Sequence, residues 1–71
     1  MADNVYKFIE LVGTSAESWE KAAANAVAMA AKSLRELRVA EVTELDMSLE
    51  DGKIVAYRAK VKLSFKIEKA D

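Results

Sequence analysis

The sequence predicts an α+β domain whose elements run strand, helix, strand, strand. Three features predict it: a β-branched and aromatic run near the start, a capped alanine-rich stripe at helical spacing, and a long two-residue alternation at the end. The first run, "VYKFIELV" at 5–12, has apolar groups on both faces at Phe8, Ile9, Leu11 and Val12, the pattern of a strand covered on both sides. "GTSAESWE" breaks it. Thr14 and Glu17, three positions apart, fit a capping box in which each side chain satisfies a free backbone N–H, so a helix is expected from Ser15 or Ala16. Trp19, Ala22, Ala23, Ala26, Ala30, Leu34 and Leu37 then fall on one helical stripe, extending the expected helix over 16–37, about 33 Å. Alanines bury little each but let the helix axis approach a sheet closely.

The last strand is the clearest. Val55, Tyr57, Ala59, Val61, Leu63, Phe65 and Ile67 alternate with Arg58, Lys60, Lys62, Ser64, Lys66 and Glu68. From Val55 to Glu68 it would span about 48 Å, longer than the helix meant to cover it, and a second copy of the chain could cover the overhang. The strand before it contains "RVAEVTELDM", and the two join at "EDGK", where Gly52 can take the positive φ of a tight turn. Keeping the apolar faces together sets Leu45, Met47 and Leu49 beside Val55 and Tyr57, which needs an odd loop such as Glu50, Asp51 and Gly52. Glu44 and Asp46 then lie beside Arg58 and Lys60 on the other face, as ion pairs worth about 0.2–1 kcal/mol each. Met29 and Met47 read as core gap-fillers, and Trp19 as a core or interface residue.

Seventy-one residues make one domain, 1–71, with 52% hydrophobic residues, 32% charged residues and a net charge of −1. With neither cysteine nor histidine, disulfides, thiolate metal sites and imidazole ligation are excluded. A lone core of this size rarely yields more than ~3–5 kcal/mol, so self-association is expected to add stability. The near-neutral charge offers no sequence-independent grip on nucleic acid. The basic stripe of Arg58, Lys60, Lys62 and Lys66 is not interleaved by Tyr57 or Phe65, which project to the other face, so it reads as a solvated, ion-paired surface. "MADNVYK" lacks the features of a secretory signal and no run approaches the ~20 apolar residues of a membrane span, so a cytoplasmic, membrane-free protein is expected. No hydroxyl is paired with an activating base, and Gly13 and Gly52 are too few for a phosphate-cradling loop, so no enzyme activity is expected.

"VYKFIELVGTSAESWEKAAANAV", "LRELRVAEVTELD" and "DGKIVAYRAKVKLSFKIE" together resemble the dodecins from Val5 to Ile67, with "IELVGTS" and "SWE" the most specific parts. The resemblance implies a three-stranded antiparallel sheet wrapped around one helix, twelve such subunits in a hollow homododecamer, and non-enzymatic binding and storage of flavin between subunits. Flavin-binding members typically read Trp-Phe-Glu-Val after the helix, the tryptophan stacking on the ring. Those positions here are Val39, Ala40, Glu41 and Val42. An arginine near the flavin phosphate falls at Asp46, and a glutamine that hydrogen-bonds the ring falls at Arg58. The implied ligand site is therefore Val39, Ala40, Glu41, Asp46 and Arg58, with FMN or riboflavin bound weakly or replaced by another ligand. Loss of the aromatic platform costs ~1–3 kcal/mol, and Asp46 about 5 Å from a phosphate would add a repulsion of roughly 3 kcal/mol at an effective dielectric of ~20. A branch of dodecin-like proteins lacking this tryptophan looks like cation binders, calcium among them. That alternative assigns the metal to Glu44, Asp46, Glu50 and Asp51. Because calcium takes 6–8 oxygens, copies of these acids would have to meet on a symmetry axis. A purely structural assembly with ion-paired acids is the remaining alternative.

Overall fold

A computed structural model describes residues 4–67. Strand β1 (Tyr6–Ser15) leads into helix α1 (Trp19–Ala31), followed by the long strands β2 (Leu37–Glu50) and β3 (Lys53–Lys66). The sheet order is β1-β3-β2, with both pairings antiparallel, and the helix lies across one face. Glu68, expected to end the last strand, lies outside the described residues.

The strand-to-helix junction departs from expectation. Gly13, Thr14 and Ser15 do not break β1 but pair with Ala59, Arg58 and Tyr57, so the ladder along β3 gains three more residues. The cap moves accordingly. Ser18, with extended backbone, accepts a hydrogen bond from the Lys21 N–H at 3.0 Å, and Ser15 Oγ accepts one from the Glu17 N–H at 2.9 Å. Thr14 is a strand residue whose carbonyl accepts from Asn25 Nδ2 at 2.9 Å.

The helix is also shorter than its stripe, at 13 residues or about 20 Å. Its last turn tightens as the Lys32 N–H bonds the Met29 carbonyl and the Ser33 and Leu34 N–H groups both bond the Ala30 carbonyl. Glu36 at φ 61° then turns the chain so that Leu37 can pair with Phe65. Leu34 and Leu37 still pack on the core, but from the loop and from β2.

The core is narrow. Ala22, Ala26 and Ala30 of α1 meet Ala59, Val61 and Leu63 of β3, with Ile9 and Leu11 packed alongside. Gly13 makes the close approach possible, because a Cβ there would lie 2.0 Å from the Ala22 carbonyl oxygen and 3.0 Å from the Ala26 Cβ. Met29 and Met47 are not gap-fillers. At 62% and 42% exposure they lie on the surface, since a core of alanines against a central strand leaves no gap to fill. Within the single chain the helix covers one face of β1, and Tyr6, Phe8 and Val12 are exposed on the other.

The hairpin keeps its apolar register by a different device from an odd loop. Its turn has two residues, Asp51 at φ 52° and Gly52 at φ 75°, closed by Glu50 opposite Lys53. The odd residue is supplied inside β3: the register slips between Ser48 and Leu49, leaving Val55 as a bulge, so Leu49 opposes Ile54 while Met47 opposes Tyr57 and Leu45 opposes Ala59. Two further slips leave Arg38 and Thr43 unpaired on β2. The molecule is drawn out to 56 × 20 × 14 Å, with a radius of gyration of 15.0 Å, against about 11 Å for a compact chain of this length.

Candidate ligand-binding faces

The sheet presents two faces with different chemistry. On the face away from the helix, Arg58 Nε and Nη2 donate to Asp46 Oδ1 and Oδ2 at 2.7 and 3.0 Å, a bidentate pair. Lys60 Nζ lies 3.2 Å from Glu44 Oε1. These are the cross-strand pairs expected from the sequence. The hydrogen bonds from Arg58 hold the Asp46 carboxyl below its ordinary value, and the same bonds raise the guanidinium's affinity for its proton. Glu41 stands opposite Lys62, whose Nζ lies 5.5 Å from the centroid of the Phe8 ring. An aromatic does sit on the basic face, then, contributed by β1 in place of Tyr57 or Phe65.

The register distributes the expected ligand positions along this surface. Val39 opposes Ser64 and Glu41 opposes Lys62, so both share a face with Asp46 and Arg58, whereas Ala40 opposes Leu63 and turns toward the helix side. Val39 and Asp46 stand opposite Ser64 and Arg58, six steps of β3 apart, or roughly 20 Å. One chain does not gather these positions around one small ligand. The expected metal acids separate similarly: Glu44 and Asp46 are engaged by bases, while Glu50 and Asp51 stand at the hairpin end. Among the described residues no three acidic side chains gather as a metal site within the chain.

The helix side carries a groove that the sequence did not reveal. Trp19, Glu20, Ala23, Val42 and Leu45 line an open space of about 520 Å³. Trp19 is fixed in this lining, its Nε1–H donating to the Asp46 carbonyl at 3.0 Å and its ring meeting Tyr57 edge-on at 5.0 Å and 69°. Val42 and Leu45 share this face only because the unpaired Thr43 shifts the alternation of β2 between them. Strict two-residue counting sends them to opposite sides. The adjacent "VT" and "EL" carry no residue that marks a bulge.

A three-stranded sheet carrying one helix, with its polar and apolar faces both open in the single chain, defines a small α+β subunit. The family profile described as Dodecin matches residues 5–68. The chain belongs to the dodecin family. Calcium dodecin of Mycobacterium tuberculosis is 46% identical over 67 residues, covering 94% of each chain. A crystal structure of that protein, described as a calcium-chelating immunodominant antigen with a novel calcium-binding site, matches with a TM-score of 0.82 at 45% identity over 94% of this chain and 96% of the other. Dodecin of Thermus thermophilus is 39% identical over 64 residues, covering 90% of this chain and 93% of the relative. The fold and family expected from the sequence both hold. No helix among the described residues is long and apolar enough to cross a membrane.

Proposed function

We propose that this chain is a non-catalytic ligand-binding protein that works as a homo-oligomer, and that its cargo is a divalent cation such as calcium in preference to flavin. The observation that carries the preference is the bidentate Asp46–Arg58 pair, at 2.7 and 3.0 Å. It joins the two positions at which flavin-binding relatives are expected to offer polar contacts, and Val39 offers no ring on which a flavin could stack. The 46% identity to a calcium dodecin supports the same choice.

Calcium needs 6–8 oxygens, so its ligands come from more than one copy. Glu44 and Asp46 face Lys60 and Arg58, which makes them poor donors, whereas Glu50 and Asp51 have no ion-pair partner among the described residues. Glu50 and Asp51 are therefore the proposed carboxylates. Calorimetry with calcium chloride on chelator-treated protein tests this reading. Saturable binding that weakens tenfold or more in Glu50→Gln/Asp51→Asn, with little change in Glu44→Gln, is the expected result. Absence of calcium binding, together with tight quenching of added riboflavin, would reverse the choice of ligand. Val39→Trp with Asp46→Arg and Arg58→Gln is expected to raise flavin affinity, measured by the same quenching.

A further inference from the structure

The consecutive pairs from Glu44 opposite Lys60 to Ser48 opposite Ala56 carry both ion pairs of the face away from the helix. A register slip bounds this segment on each side, with Thr43 unpaired on β2 at one end and Val55 unpaired on β3 at the other. Bulges at both ends can migrate and so absorb a one-residue slip, and such a slip would turn Glu44 and Asp46 to the helix side. Burial does little to prevent it within the chain. Leu45 and Met47, which would change faces with the acids, are exposed at 51% and 42%. The ion pairs are exposed too, and exposed pairs contribute little.

Trp19 supplies what burial does not. Its Nε1–H donates to the Asp46 carbonyl at 3.0 Å while its ring meets Tyr57 at 5.0 Å. Among the described residues this is the only hydrogen bond that joins α1 to β2. The side chain thereby touches both strands of the ladder: Asp46, which opposes Arg58, and Tyr57, which precedes Arg58 on β3 and opposes Met47. Moving β2 one step past β3 displaces the Asp46 carbonyl by about 3.4 Å relative to Tyr57, and Trp19 cannot then keep both contacts. Its own place is set, because it is the first residue of the helix, next to the Ser18 cap.

We infer that Trp19 is a positioning residue for the ligand face: it pins the register of 44–48, so that Asp46 meets Arg58 and Glu44 meets Lys60 on the side away from the helix. The inference rests on the ligand-binding reading above and names the residue that holds in place the pair on which the preference against flavin depends.

The chain has no cysteine, so introduced pairs report register without background. Ser48→Cys/Ala56→Cys joins opposed positions at one end of the segment, and Glu10→Cys/Lys62→Cys joins opposed positions on β1 and β3, farther along the sheet. Directly opposed strand positions lie within disulfide reach, and a slip takes them out of it. Intrachain oxidation in a glutathione buffer is timed by mass after unfolding, with Trp19 intact and with Trp19→Phe, which keeps a ring against Tyr57 but loses the N–H. Trp19→Phe is expected to slow the first pair by about threefold or more, the shift that one hydrogen bond commands, and to leave the second unchanged. Equal slowing of both pairs marks a general loss of stability and overturns the inference, as does slowing of neither. In the parent chain the single tryptophan gives one indole N–H signal. Slowed hydrogen exchange of that proton is expected, and exchange as fast as that of free indole overturns the inference without any variant. None of these readouts involves a ligand, so the choice of calcium over flavin stands or falls separately on the calorimetry above.

Discussion

Gly13 is placed by a steric demand and not by a turn. Its backbone is ordinary strand, paired with Ala59, but the helix backbone passes so near that a Cβ would fall 2.0 Å from the Ala22 carbonyl oxygen. Neither partner can yield, since both are backbone in regular elements. Gly13→Ala is expected to destabilise by about 1–3 kcal/mol, as overpacking of a tight core does. That lowers the melting temperature by roughly 4–8 °C per kcal/mol in a domain of this size, as thermal unfolding would show. Asp46 gives a second expectation at this scale. Hydrogen bonds from Arg58 lower its folded pKa, so the unfolded chain binds more protons in the acid range. The stabilisation is complete above the ordinary carboxylate value and fades as pH falls through the lowered folded one. Denaturant unfolding of the parent should therefore show stability rising with pH across that range. Asp46→Asn should flatten this rise; an unchanged slope would show that the pair contributes nothing to it.

At the scale of elements, the hairpin depends on one glycine. Asp51 tolerates its left-handed backbone, as aspartate does, and Gly52 at φ 75° has open space around it but a conformation that costs any other residue about 1–2 kcal/mol. Gly52→Ala should lose that much in denaturant unfolding, with no steric contribution. The element order, the alternation of β3, the cross-strand partners of Glu44 and Asp46, and the alanine stripe were all legible, because each rests on a period of 2 or 3.6 that packing enforces. What escaped were local choices between near-equal options. Thr14 and Ser18 are both good caps, and the ladder to β3 decided for Ser18. Leu34 and Leu37 keep helical spacing yet reach the core from other elements. The bulges at Val55 and Thr43 replaced the odd loop and created the groove beside Trp19; a bulge conserves composition while reversing faces, so periodicity cannot register it. The candidate site was assigned in the sequence by residue type alone and not as a place. Its positions are spread over β2, the hairpin turn and β3, and no count along a single chain tells which copies bring them together.

For the whole molecule, shape and surface lead to one conclusion. Among the described residues six form the core, three of them alanines from the helix, while Phe8, Val39, Leu45, Leu49 and Ile54 are exposed at 50% or more. Apolar burial yields about 25 cal/mol per Å², so a narrow core leaves little margin against the ordering of 14-residue strands. The missing stabilisation is available on the surface, where identical neighbours can cover β2 and the hairpin end. Folding and assembly are then one process, and apparent stability rises with protein concentration. Native mass spectrometry of freshly purified protein, taken through a dilution series, tests this most directly. The predicted spectrum is a single homo-oligomer, twelve subunits by its family resemblance, with monomer appearing only in the broad charge states of an unfolded chain. A compact, folded monomer persisting on dilution would contradict it.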